Sequence, residues 1–568
     1  MAWLNHFPCR TSAVVTSTAA AFHWQLKAES ERIMQSGGIH AVEIVFLVLL
    51  LFVVVFAALA RKLQTPYPIV LVVAGLLLSF IPGIPKIALN PDVIFLAVLP
   101  PLLYSAAWLT SWRDFKYNLV SILLLAFGLV GFTALGVAET TRWAFRGFDW
   151  RLGFVLGAVV ATTDAIAATS IAKRLGLPQR IVDVLEGESL VNDATGLLAL
   201  EFAVVMVVNG QTPTVTSGTL RLIYLIVVGL TIGLIVGLIV EWFERRIDDG
   251  PIEIVVSVLT PYAVYLAAES VHASGVLAVV ACGLYLSRQS SQFFSASVRL
   301  QASAVWDSLT FAVNGLVFVL IGLQLPYVLV GIREYSLRQL LLYGALFSGI
   351  VIVLRLLWMY PGAYLAYIIR KRVFHQNNVL PSAKQIFVVG WTGMRGVVAL
   401  AAAIALPETL ADGRPFPERN LIVFLTFSVI LVTLVLQGLT LPPLIRALGL
   451  AGTENNITEE EEARRIITST ALAHLEEARG QDLPDFVAVY DDIARRYARR
   501  LASLSKDKTA DDGMSTKELE RYRVVIRGLL HVERKTAVRL RNEGRINDEV
   551  LRRIERELDL SETRMALS

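Results

Sequence analysis

Apolar residues in this chain do not alternate with polar ones; they run on in long blocks. Blocks of about 18 or more apolar positions, separated by short polar connections, recur along most of the first 440 of the 568 residues. Each block is long enough to cross a hydrocarbon core roughly 30 Å thick. Without water in that core, only helices and closed barrels satisfy the backbone, and continuous runs rather than period-two alternation select helices. The pattern predicts an all-α, polytopic membrane protein with about thirteen spans, at 41–60, 67–84, 92–110, 119–138, 152–172, 180–208, 220–243, 252–270, 274–286, 302–330, 340–369, 384–406 and 420–444.

Composition sharpens this picture mainly through where the charges lie. The hydrophobic share is 55% and the charged share only 18%. The last 118 residues hold 22 of the 52 Lys+Arg and 24 of the 48 Asp+Glu. Three regions follow: a lead over 1–40, a membrane domain over 41–446 and a helical, solvated carboxy-terminal domain over 447–568. The net charge of +4 is a difference between regions, and no basic patch interleaved with aromatics points to nucleic acid. Two cysteines, Cys9 and Cys282, support neither a disulfide framework nor a metal cluster. No cofactor is expected.

The connecting charges predict the orientation. With the amino terminus outside, the inner loops carry 15 basic residues, among them Lys173, Arg174 and Arg180, and the outer loops nine. That bias puts the carboxy-terminal tail in the cytoplasm. The lead lacks an apolar segment followed by a small-residue cleavage site, and Met34 is the more natural start before the first span. In the tail, Thr458 is the expected N-cap of one helix and Gly544 the expected end of another.

The stretch GESLVNDATGLLAL puts Glu188 and Asp193 inside the sixth span. A carboxylate at mid-membrane costs about 2.5–3.5 kcal/mol on insertion scales, so it faces a cavity or a partner. Ser189 and Asp193 are four residues apart and share one helical face; Glu188 and Asn192 share the adjacent stripe. Oxygen ligands suit a hard ion such as Na⁺. Asp193, able to hold a proton or a cation but not both, is the expected exchange group, and Glu188 is expected to neutralise a buried base.

Two further spans are interrupted. Thr162, Thr163 and Asp164 lie in the middle of the fifth, where their side chains compete for backbone hydrogen bonds. In the twelfth, Gly390, Gly393 and Gly396 surround Arg395, and glycine weakens a helix. Paired broken helices are the sequence mark of an inverted-repeat transporter, with its site where the breaks meet. Arg395 is the expected partner of Glu188.

ESLVND (188–193), the Thr162–Thr163–Asp164 triplet, LPPLLYSAAW (99–108) and GWTGMRGVV around Arg395 together resemble the cation:proton antiporter-1 family, the sodium/proton exchangers. The resemblance extends over nearly all of the membrane part. It implies thirteen helices in a homodimer, a mobile core moving by alternating access, and crossed unwound stretches of helices five and twelve. By that resemblance Asp193 carries cation or proton, Ser189 and the Thr163 backbone are ion ligands, and Asn192 belongs to an Asn-Asp pair associated with electroneutral exchange. Its substrates would be Na⁺ (or Li⁺, K⁺) and H⁺, its setting the lipid of the cell membrane, its role pH and sodium homeostasis. Ser105 stands where many relatives have an acid, and Ala165 where they commonly have proline.

Other residues are read as structural. Glu201 is expected to pair with a loop base, Arg355 to be paired or to snorkel, and Asn314 to join helices. No His-Glu-x-x-His or Gly-x-Ser-x-Gly occurs, and the seven histidines avoid span centres, so an enzyme is not expected.

Overall fold

The computed structural model describes residues 38–503, apart from 82–89, 145–147, 209, 211–214, 248, 295, 333–334, 377–379, 411, 453–455 and 482–486, and scattered positions from 528 to 561. The expected lead over 1–37, Met34 and Gly544 lie outside the described residues. Two compact units divide at 453/454.

Among the described residues the regular structure is helical, with one isolated bridge between Thr409 and Pro415. In chain order the membrane unit contains α1 (Gly38–Lys62), α2 (Tyr67–Leu78), α3 (Pro91–Leu109), α4 (Trp112–Ala144), α5 (Trp150–Ala161), α6 (Ile166–Arg174), α7 (Gln179–Val208), α8 (Val215–Glu244) and α9 (Gly250–Ser270). There follow α10 (Gly275–Phe293), α11 (Ala296–Leu323), α12 (Leu325–Val330), α13 (Leu337–Arg372), α14 (Ala383–Trp391), α15 (Val397–Ile404) and α16 (Arg419–Ala447). Ten described helical stretches are long and apolar enough to cross a membrane, one of them the interrupted pair α5–α6; Tyr67–Leu78 and Gly275–Gln289 are apolar but shorter. The expected twelfth span is divided between α14 and α15, each too short to cross alone.

Burial sorts the helices. The spans holding α5–α6 and α16 are largely enclosed by protein, whereas α1 and α8 expose most of their apolar length, as lipid-facing helices do. Close packing around α5 uses small residues: Gly153 and Gly157 lie against Ala138 and Ala134 of α4, where a side chain would collide with the backbone. Among the described residues three helices widen into a π-turn, at Ile94–Val98 in α3, Leu124–Leu129 in α4 and Thr433–Gln437 in α16. Such turns free backbone groups and cluster at functional sites. Here the α4 turn lets the Ala126 carbonyl accept from Thr195 Oγ1 of α7 at 2.6 Å.

The second unit contains α17 (Asn456–Gln481) and α18 (Val487–Ser503). The first of these starts two residues before Thr458, which therefore lies inside the helix rather than at its cap. Arg479 and Asp491 join the two helices at 3.0 Å.

Candidate functional site

α5 stops at Ala161 because Thr162 turns to an extended conformation (φ −65°, ψ 138°); helix resumes at Ile166. α14 stops at Trp391, and Gly396 is extended before α15 begins. The two interruptions cross in contact. The Asp164 amide donates to the Met394 carbonyl at 2.8 Å, so each broken strand supplies backbone bonding that the other has lost.

Four helix ends meet at this crossing, and their dipoles are answered by charge. Both half-helices that end here are capped by an arginine. Arg395 Nε donates to the Val160 carbonyl at the end of α5 (2.7 Å), and its Nη1 to the Gly393 carbonyl (2.6 Å). Arg355 of α13 donates to the Gly390 and Val389 carbonyls at the end of α14 (3.1 and 3.2 Å). A cation at a helix carboxy terminus is favourable. The half-helices that begin here meet a carboxylate: Asp164 Oδ1 accepts from the Ile166 amide at 2.8 Å, and a Cβ at Gly396 would overlap the Asp164 carboxylate. Gly393 is equally constrained, since a Cβ there would overlap the Arg355 side chain. Gly396→Ala is therefore expected to push Asp164 from its seat and reduce exchange at least ~10-fold. The check is transport rate per mole of reconstituted protein, beside an alanine at the open position Gly349.

Glu188 does not pair with Arg395, contrary to the sequence expectation. Its carboxylate takes both ends of the Arg355 guanidinium, at 2.5 Å (Nη1–Oε1) and 2.9 Å (Nη2–Oε2). Both side chains are at most 2% exposed. The reason is local: the carbonyls of Val160 and Gly393 already occupy the Arg395 guanidinium, and the Thr433 hydroxyl accepts from its amide (3.1 Å). Arg355, taken from the sequence as paired or snorkelling, is the ion-pair partner that sequence reasoning did not name. Its signal was there: one arginine in the run IVIVLRLLW, too deep to reach either interface.

Thr163 extends this network. Its hydroxyl donates to Glu188 Oε1 at 3.0 Å and accepts from the Asn192 amide nitrogen. Asn192 is thus engaged with the scaffold through its nitrogen, while its buried Oδ1 has no hydrogen-bond partner among the described residues. Ser189 lies on the other stripe, where its hydroxyl accepts from the Ala165 amide at 3.4 Å.

Asp193 stands apart from this bonding. It is 8% exposed and lines a cavity of about 270 Å³ together with Ser189, Asp164, Thr163, Ser105 and Asn314. No hydrogen bond or ion pair reaches its carboxylate among the described residues. The same cavity extends to Lys173 and Glu186, which form an ion pair at 2.7 Å. Ser105 turns its hydroxyl to the Leu102 carbonyl at 3.0 Å. Of the remaining expectations, Glu201 pairs with Arg221 at 3.2 Å, near the start of α8.

A site of this kind holds one balanced ion pair, one carboxylate between helix amino termini and one carboxylate facing an aqueous-sized cavity. It can bind a small cation through oxygens or hold a proton, and it offers no arrangement for covalent chemistry.

Comparison with known proteins agrees. A family model for the transmembrane sodium/hydrogen exchanger matches residues 46–447. The chain is 34% identical to an uncharacterised Na⁺/H⁺ exchanger of Mycobacterium tuberculosis, over 92% of this chain and 96% of that one. It is 32% identical to a sodium, potassium, lithium and rubidium/H⁺ antiporter of Bacillus subtilis, over 70% of this chain and 61% of that one. The fold is similar to that of the sodium proton antiporter MjNhaP1 from Methanocaldococcus jannaschii, with a TM-score of 0.53, 19% identity, and coverage of 71% of this chain and 97% of that one. The chain belongs to the sodium/hydrogen exchanger family: it is a multi-pass membrane transporter that exchanges cation for proton, not an enzyme.

Proposed function

We propose that the protein exchanges one Na⁺ for one H⁺ by alternating access, with Asp193 holding the cation and the proton in turn. The observation that carries this reading is the contrast between two buried carboxylates five residues apart. Glu188 is neutralised by Arg355, whereas Asp193 faces the cavity with no cation bonded to it among the described residues. A carboxylate so placed is costly unless a mobile positive charge joins it. Ser189 and the unwound backbone at Thr163 supply neutral oxygens beside it, and Asp164 adds negative potential. Thr162, Gly393 and Gly396 allow the crossing; Asn192 braces Thr163.

One exchanging carboxylate implies one charge in for one charge out, hence electroneutral transport. The cavity reaches the Lys173 end of the spans, the side that the basic loops assign to the cytoplasm, which fits a form open inward. The amino terminus is then outside and the 447–568 domain cytoplasmic. In the cell membrane, as a homodimer, such an exchanger serves pH and sodium homeostasis.

Everted vesicles from a bacterial strain lacking its own antiporters test this reading. An acid-inside gradient is imposed and Na⁺, Li⁺ or K⁺ is added while a pH-sensitive dye is followed. Na⁺ is expected to collapse the gradient, at a rate unchanged when the membrane potential is clamped at different values. No response to any of these cations from well-inserted protein, or a rate that follows voltage, would reject cation exchange or its one-for-one ratio respectively.

A further inference from the structure

A second buried acidic group lies outside the crossing. Glu244 is the last residue of α8, only 2% exposed, and among the described residues neither of its carboxylate oxygens has a hydrogen-bond partner. Its position makes this more surprising. A helix carboxy terminus is the negative end of the dipole and disfavours an acid. Across the α8–α9 turn, Glu253 in the first turn of α9 is 1% exposed and close enough for its charge to repel that of Glu244.

Among the described residues, no neighbour is bonded to the Glu244 carboxylate. On α8 itself, Glu241 is held by Arg245 (2.9 and 2.6 Å) and by the Tyr285 hydroxyl of α10. α9 presents Ser257, whose hydroxyl donates to the Ile254 carbonyl and accepts from Trp306 of α11 at 3.1 Å. α3 brings Tyr104 and α10 brings Cys282 to the same region, both neutral and both buried. A fully buried carboxylate at the wrong end of a helix, beside another acid, is a site awaiting a positive charge.

We propose that Glu244 and Glu253 form a second ion site, which takes up one positive charge from solution, a proton or a small monovalent cation. It is separate from Asp193 but adjoins its cavity through α3: Ser105 lines that cavity, and the preceding residue, Tyr104, buried about 100° round the helix, is near enough to feel the charge of Glu244. Occupancy of this site is thereby placed to influence the packing of α3 beside the ion cavity.

The test is a binding measurement, independent of whether Asp193 transports. Full-length protein carrying Asp193→Asn is compared by infrared difference spectroscopy with the same protein carrying Glu244→Gln or Glu253→Gln as well. One sample series steps the pH without Na⁺; the other adds Na⁺ at fixed pH. A carboxyl band change present in Asp193→Asn, lost with Glu244→Gln and shifted with Glu253→Gln, is expected. If pH alone elicits it, the charge is a proton; if Na⁺ also removes it, cation and proton share the site. Band changes unaltered by either glutamine would overturn the proposal. Glutamine keeps the shape of glutamate, and equal melting profiles of the variants show that a lost band is not a lost fold.

Discussion

Asp193→Asn is expected to lower Na⁺/H⁺ exchange by at least about 100-fold while leaving the protein folded and inserted. The substitution keeps size and hydrogen-bonding capacity but removes the group that accepts a proton or a cation charge. Among the described residues no ion pair or hydrogen bond to the Asp193 carboxylate exists, so none of them relies on that charge. Loss of a carboxylate that binds the transported ion removes a charge-to-charge interaction in a low-dielectric cavity, where each 1.4 kcal/mol is about a factor of ten. Dye-monitored exchange in proteoliposomes, normalised to protein content, checks the activity, and melting temperature checks the fold. Substantial exchange by Asp193→Asn would remove Asp193 from the centre of the mechanism.

The second large effect is on stability. Arg355→Leu leaves Glu188 buried without its counter-charge, and Glu188→Gln leaves Arg355 in the same position. Each is expected to cost about 3–5 kcal/mol, because an unpaired buried ion keeps its desolvation penalty and loses the attraction that offset it. The double variant Glu188→Gln/Arg355→Leu is expected to cost less than the sum of the two single variants, giving a coupling energy of about 1–3 kcal/mol in a double-mutant cycle. The same cycle with Arg395→Leu is expected to yield a smaller coupling, since Arg395 bonds to the Val160 and Gly393 carbonyls rather than to Glu188. Thermal unfolding in one detergent, with all variants measured side by side, supplies the numbers. A larger coupling to Arg395 than to Arg355 would contradict the geometry.

That exchange of partners shows where sequence reading stops. Long apolar runs are legible because lipid forces every backbone bond to be local, so span after span can be placed from composition alone. The interruptions at 162–165 and 392–396 are legible for the complementary reason. Threonine, aspartate and clustered glycines are poor in a helix, and their occurrence in mid-span needs an explanation. Helical spacing also separates Asp193 and Ser189 from Glu188 and Asn192, and the structure keeps the first pair at the cavity and the second in the scaffold network.

Which helix lies against which stripe is a different matter. The choice between Arg355 and Arg395 depends on how α13, α7 and the crossing pack in three dimensions, and no local rule encodes that. The carbonyls of Val160 and Gly393 are chemically ordinary, and they become the partners of Arg395 only once α5 and α14 have unwound against each other. Glu244 and Glu253 are similar. Each looks like a charge at the end of a span facing a basic loop, yet both are buried.

The central claim is that proton and cation compete for one carboxylate, and initial-rate ²²Na⁺ uptake into proteoliposomes across a series of pH values tests it most directly. Competition at Asp193 requires the apparent KM for Na⁺ to climb, on the acidic limb, by up to about tenfold per pH unit while the maximal rate holds steady. A maximal rate that falls with acidification at constant KM would contradict it, since proton and sodium would then act at different groups.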